Sequence, residues 1–171
     1  MNKIRKKKIF FISGSRSEYG QFSFLLKKLS ITKKINFKLI ITGMHLYEKF
    51  GKTYKEVIKD QINIYKRIKI DSNEDNDFTI PNSFSLAIKK FTDFLLKEKP
   101  DLVILPGDRY EILAVAISCF FQNIPVVHFY GGDTSLGSQD EFFRNSITNI
   151  AKYHFVSHNL AKKKIIKQNN K

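Results

Sequence analysis

Tryptophan is absent from the 171 residues, cysteine occurs once, and no apolar run approaches the length of a membrane span. The lone Cys119 excludes an internal disulfide. It lies in an apolar helical stretch, where a thiol serves as a small hydrophobe, and a reducing, cytoplasmic setting is the expectation. A span needs about 20 consecutive apolar residues, so no membrane partner is expected. The basic start, Met1 to Lys8, is followed by Ile9-Phe10-Phe11-Ile12. That run is too short for a secretory leader, and no small-residue cleavage site follows it.

Acidic residues are also scarce, 16 against 30 Lys and Arg, for a net charge of +14. Such an excess suits nucleic acid, an anionic membrane or a phosphorylated small molecule. The cations are dispersed, however, and no cluster exceeds Arg5–Lys8. The phenylalanines follow core periodicity instead of interleaving a basic stripe, so nucleic acid is not expected as a partner. Familiar cofactor signatures are missing too. No G-x-G-x-x-G follows the first strand, which disfavours NAD. No G-x-S-x-G nucleophile turn occurs. His45, His128, His154 and His158 lack metal-ligand spacing. No metal and no cofactor is therefore expected.

What is present is a parallel α/β pattern. Apolar, β-branched or aromatic runs at Lys8–Ser13, Phe37–Thr42, Asn63–Arg67, Asp101–Leu105, Pro125–Phe129 and Tyr153–Val156 read as strands. Helical spacing separates them: Phe22, Leu25, Leu26 and Leu29; Phe84, Ala87, Ile88, Phe91 and Leu95; Ile112, Val115, Ala116 and Cys119. Near-continuous apolar strands alternating with helices predict a sheet covered on both faces. The expected fold class is α/β, a single Rossmann-like, doubly wound parallel sheet. Asp71–Asp77 reads as a polar loop, and Lys99-Pro100-Asp101 as a helix end before a strand. Lys162–Lys171 reads as a basic helix end that frays.

Two apolar strands stop abruptly at glycine and carboxylate: Leu105-Pro106-Gly107-Asp108-Arg109 and Val127-His128-Phe129-Tyr130-Gly131-Gly132-Asp133. In parallel sheets ligands bind at the carboxyl edge of the strands. Asp108 is placed there, either as a site residue or as a helix N-cap. Arg109 has Asp108, Glu111 or a ligand as possible partners. Gly131-Gly132 lets the backbone approach a ligand closely. Asp140 and Glu141 open a helix with Phe143, Ile147 and Ile150 as its core face; Asp140 and Arg144 stand four apart, an i,i+4 ion pair in the plainest reading. The first turn, Ser13-Gly14-Ser15-Arg16-Ser17-Glu18, offers backbone N–H groups and Arg16 to an anion; the plain alternative is a turn capped by Ser15 or Ser17. His45 follows the second strand at the same edge. Three carboxylates at one rim, Asp108, Asp133 and Asp140, can split their pKa values and act as base and acid.

These segments resemble one family. Gly14-Ser15-Arg16-Ser17-Glu18-Tyr19-Gly20 is similar to the G-T-R-A-E-Y-G opening of hydrolysing UDP-N-acetylglucosamine 2-epimerases. Gly43-Met44-His45-Leu46, with Phe50-Gly51-Lys52-Thr53 and Glu56, resembles their G-M-H-L…F-G-x-T…E. Gly107-Asp108-Arg109-Tyr110-Glu111 matches G-D-R-x-E, and His128 to Asp133 looks like H-I-H-G-G-D. Asp140-Glu141-Phe142-Phe143-Arg144-Asn145-Ser146-Ile147-Thr148 resembles D-E-S-I-R-H-A-I-T. The family's second histidine in H-I-H-G-G is Tyr130 here, and the histidine after its helical arginine is Asn145.

The resemblance implies loss of UDP from UDP-N-acetylglucosamine, or from the diacetylated bacillosamine derivative, to give a glycal. Water then adds with inversion at C2, with no metal or redox cofactor. It implies Asp140 as acid/base with Asp133 and Asp108 assisting. Ser13, Gly14, Arg16, His45, Arg109, Tyr130, Gly131, Gly132, Glu141 and Arg144 would bind substrate, Arg16 at the diphosphate. The family's fold has two Rossmann-like domains of GT-B type. By resemblance residues 1–171 form the amino-terminal one, with little activity alone and with a separate carboxyl-terminal half or a homo-oligomer as partner. Two other readings stand beside this: a non-catalytic basic module for an anionic partner, and a glycosyltransferase acceptor domain.

Overall fold

The computed structural model describes residues 5–70, 79–135 and 137–169. The loop expected at Asp71–Asp77 lies outside them. Six strands form one parallel sheet among the described residues: β1 (Lys8–Ser13), β2 (Asn36–Thr42), β3 (Ile64–Ile68), β4 (Leu102–Pro106), β5 (Val126–Phe129) and β6 (Tyr153–Phe155). Their order is β3-β2-β1-β4-β5-β6, all parallel. Six helices accompany them: α1 (Arg16–Ile31), α2 (Tyr54–Lys59), α3 (Thr79–Glu98), α4 (Tyr110–Phe121), α5 (Gln139–Ile150) and α6 (Asn159–Asn169).

Alternation along the strands sends neighbouring residues to opposite faces. Phe10, Ile12, Ile40, Val103, Leu105 and Val126 face α3, α4 and α5, where Phe91, Leu95, Ile112, Val115 and Cys119 meet them. Phe11, Leu39, Ile41, Ile104 and Val127 face the other way, toward Tyr19, Phe22 and Leu26 of α1 and Val57 of α2. The expected double winding is thus present. Cys119 is fully buried, and burial raises its thiol pKa. Strand β3 departs from the apolar pattern: Tyr65, Lys66 and Arg67 are exposed. It is an edge strand, where charge discourages pairing with another chain.

Strand order reverses between β1 and β4, the two neighbours whose chains leave in opposite directions. The loops after them diverge and leave a crevice at the carboxyl edge, where ligands of open α/β sheets bind.

Candidate active site

At this crevice the turns after β1, β4 and β5 and the start of α5 enclose a cleft of about 440 Å³. Asp108, Arg109, Tyr130, Asp133 and Arg144 line it, with Ser15, Glu18 and Gly107.

The β1–α1 turn is held by a capping box. Ser15 is the N-cap and accepts from the Glu18 N–H. Glu18 Oε2 accepts in return from the backbone N–H groups of Ser15 at 3.2 Å and Gly14 at 2.6 Å. This corrects the expectation that these N–H groups await an external anion: an internal carboxyl already holds them. Ser13 is fully buried, with its hydroxyl 3.0 Å from His45 Nε2. His45 is buried as well, its Nδ1 2.8 Å from the Thr53 hydroxyl. Desolvation lowers its pKa to about 4, so the imidazole is neutral. Ser13, Gly14 and His45 therefore form the layer beneath the cleft. Arg16 is exposed, pairs with Glu56 at 2.8 Å and does not line the cleft. It is held instead by Glu56 on α2.

Arg144 organises the opposite wall. It is 6% exposed. One terminal nitrogen donates to the Asp133 carbonyl at 3.1 Å, and the other donates to the Asp108 carboxylate and, at 2.9 Å, to the Ser135 hydroxyl. Both plain readings are replaced by this contact. Asp108 is not an N-cap, since Arg109 holds that position in α4. The i,i+4 pair with Asp140 does not form, because Arg144 reaches across to the β4 turn instead. Asp108 and Asp133 thus share one cleft. Asp140 sits half-buried on the first turn of α5 and does not line it. Burial raises the pKa of Glu111, and the charge of Asp140 adds to the rise. Glu141 braces the loop, accepting from the Ser135 N–H at 3.1 Å and pairing with Lys164 at 3.3 Å.

Gly131 and Gly132 are needed for packing. A Cβ on Gly132 would lie 2.6 Å from the Ala161 carbonyl oxygen, and φ is +81°. A Cβ on Gly131 would lie 2.9 Å from the Thr148 hydroxyl. The close approach expected for a ligand is made by α5 and α6 instead. Tyr130 takes a left-handed φ of 62° and turns its ring toward Phe22 at the cleft. Beneath it, His128 Nε2 donates to the Gly107 carbonyl at 2.8 Å, which leaves Nδ1 to accept from the Thr148 hydroxyl at 3.1 Å. Burial lowers its pKa to about 4. This neutral imidazole ties the β4 turn to α5.

Three participants escaped the sequence reading of the site, and a fourth, Glu111, entered it only as a possible partner of Arg109. Ser157 donates to Asp133 at 2.5 Å, and His158 Nε2 lies 3.3 Å from the same oxygen. They follow β6 at the same carboxyl edge, and that position was the available signal. Glu18 and Glu111 are the others, both buried. For Glu18 the Ser-x-x-Glu spacing of a capping box was the available signal. Among the described residues no group of acids, histidines and cysteine could hold a metal ion, and no helix is long and apolar enough to cross a membrane.

Comparison with known proteins places this geometry. The family model for UDP-N-acetylglucosamine 2-epimerase matches residues 27–171. The Polysialic acid biosynthesis protein P7 of Escherichia coli is 39% identical over 165 residues, 96% of this chain and 42% of its own length. A GDP/UDP-N,N'-diacetylbacillosamine 2-epimerase (hydrolyzing) from Campylobacter jejuni is 39% identical over 163 residues, 95% of this chain and 42% of its own. The solved Methanocaldococcus jannaschii UDP-GlcNAc 2-epimerase, in complex with UDP-GlcNAc and UDP, superposes with a TM-score of 0.81 at 26% identity, covering 95% of this chain and 43% of that one. The chain thus spans a little over two fifths of these relatives. With the family model matched over most of its residues, and the same fold beneath the matched motifs, this chain belongs to the UDP-N-acetylglucosamine 2-epimerase family.

Proposed function

We propose that residues 1–171 form the amino-terminal, sugar-side half of a hydrolysing 2-epimerase acting on a UDP-linked N-acetylated hexosamine. The observation that carries this reading is the shared cleft of Asp108 and Asp133 at the switch point, joined through Arg144. The relatives at 36–39% identity include two enzymes named for diacetylbacillosamine, whereas those named simply for UDP-N-acetylglucosamine stand at 31% or below. The diacetylated sugar is therefore the favoured substrate.

The chemistry needs two steps. A carboxylate removes the C2 proton, the C1–oxygen bond to the diphosphate breaks, and UDP departs to leave a glycal. Water then adds its oxygen to C1 while giving one proton to a carboxylate, and a carboxylic acid returns a proton to the opposite face of C2. As the family resemblance implies, Asp140 serves as acid/base, with Asp133 and Asp108 assisting from the cleft. Arg109 takes the anion-binding role first assigned to Arg16, because it lines the cleft and a guanidinium can stabilise the leaving oxygen. A cleft open on one side exposes such intermediates to water, and a second domain would exclude it.

The test is a chimera in which residues 1–171 replace the matched segment of the Campylobacter jejuni relative. UDP release from UDP-diacetylbacillosamine should exceed release from UDP-N-acetylglucosamine. D108N, D133N and D140N should each lower kcat at least about 100-fold, the scale of acid–base catalysis. A folded but inactive chimera contradicts the proposal, and so does strong UDP release by the 171-residue chain alone.

A further inference from the structure

The inner wall of the cleft holds a carboxyl that the reaction scheme does not use. Glu18 lines the cleft yet is only 6% exposed. Its Oε2 is fixed by the Gly14 and Ser15 N–H groups, while Oε1 is buried with no hydrogen-bond partner among the described residues. Oε1 lies against Gly107, where even a Cβ would come within 3.0 Å. A second buried carboxyl, Glu111, fills the space beside Gly14 and Gly43. Arg109 lies between these acids and the cleft. Its Nε donates to Glu111 Oε1 at 2.8 Å, and its two terminal nitrogens make no hydrogen bond among the described residues. The Arg109 side chain is about one-third exposed and lines the cleft.

Two ionised carboxylates would overwhelm one arginine in this buried corner. Arg109 is in direct contact with Glu111, whereas among the described residues no cation bonds to Glu18, so Glu18 takes up a proton first. We propose that Glu18 is a positioning residue that works as a neutral acid: with its charge suppressed, the Arg109 guanidinium keeps positive charge for an anionic oxygen of the bound sugar nucleotide. The inference rests on the cleft being a nucleotide-sugar site, as set out above. Burial, and then repulsion from Glu111, raises the pKa of Glu18 to about 8. Among the groups facing it, the Gly14 and Ser15 N–H bonds and the Arg109 charge favour the ionised form, and burial with Glu111 outweighs them. From β1 comes the Ser13 hydroxyl, backed by the neutral His45; from α1, Ser15; from the β4 turn and α4, Arg109 and Glu111. Across the cleft, Asp108 is already matched by Arg144, and Asp133 by Ser157 and His158.

E18Q is a permanent copy of the neutral acid, and glutamine satisfies a capping box at this position. The 171-residue chain and E18Q would each be titrated with UDP-N-acetylglucosamine by amide NMR at pH 7 and pH 9, with melting temperatures recorded at both. In wild type the Kd should rise about tenfold between the two pH values, as expected for a group titrating near 8 that must be protonated for binding. In E18Q it should change less than twofold. The wild-type melting temperature should also fall by about 3–5 °C relative to E18Q over the same interval, because stability tied to a raised carboxyl pKa is lost as pH climbs through it. Parallel Kd profiles in the two proteins overturn the positioning role. Parallel melting profiles overturn the neutral acid. If wild type binds nothing at pH 7, the nucleotide-sugar reading and the ligand role fall together, and the melting comparison still decides the charge of Glu18.

Discussion

Replacing Arg144 with methionine removes the cation that joins Asp108 to the loop after β5. The change keeps most of the side-chain volume but deletes hydrogen bonds to the Asp108 carboxylate, the Asp133 carbonyl and the Ser135 hydroxyl. Arg144 is nearly buried, and the Asp108 side chain is 27% exposed. Removing one partner of a buried ion pair costs about 3–5 kcal/mol; the partial exposure of Asp108 puts R144M near the lower end, about 3 kcal/mol. For a domain of this size that corresponds to a fall in melting temperature of roughly 6–12 °C. The double variant D108N/R144M removes the stranded charge together with its partner. It should cost about 1–2 kcal/mol less than the sum of the single variants, as expected for residues in contact. Urea denaturation of the four proteins by circular dichroism reads the cycle. If R144M costs less than about 1 kcal/mol, or the two changes add within about 0.5 kcal/mol, Arg144 does not organise this wall.

Gly132→Ala should destabilise the chain by about 2 kcal/mol or more, since its Cβ would meet the Ala161 backbone and φ is positive; Gly137→Ala, with open space around it, should cost only the φ penalty, and equal losses in denaturant would contradict the packing argument. His45 and His128 have folded-state pKa values lowered to about 4 by burial. Their contribution to stability is complete above about 6.5 and is lost as pH falls toward 4. Proton NMR titration should find both rings neutral at pH 5.5, with His128 carrying its proton on Nε2; midpoints near 6.5 would refute this. Cys119, buried in the core, should react with Ellman's reagent only on unfolding, and rapid labelling of native protein would show that the α4 core opens.

The sheet was legible because its strands, apart from the charged edge strand β3, are apolar, β-branched or aromatic runs bounded by turn residues. All six expected strands lie within about two residues of their observed bounds, and the helix between Phe84 and Leu95 is where the spacing put it. The site was legible only as a neighbourhood. Gly107-Asp108 and Gly132-Asp133 mark strand ends, and position on a parallel sheet then brings them together. What no spacing rule conveys is which partner a side chain chooses. Arg144 has Asp140 one turn away in sequence but reaches Asp108, 36 residues distant, because the β4 turn lies over the start of α5. Gly14 offers its N–H to an anion, but Glu18 closes on it from three residues into the helix. Arg16 is drawn outward by Glu56, a contact made only once α2 packs beside α1. Local patterns fix elements; competition among nearby charges is settled by tertiary geometry.

The most direct test of the shared cleft is an amide-resolved NMR titration of the chain with UDP-diacetylbacillosamine. Shifts should concentrate at Gly107–Arg109, Tyr130–Asp133 and the first turn of α5, and D133N should weaken them. Saturable shifts confined to the α3 face or to β6, with these turns silent, would contradict the account.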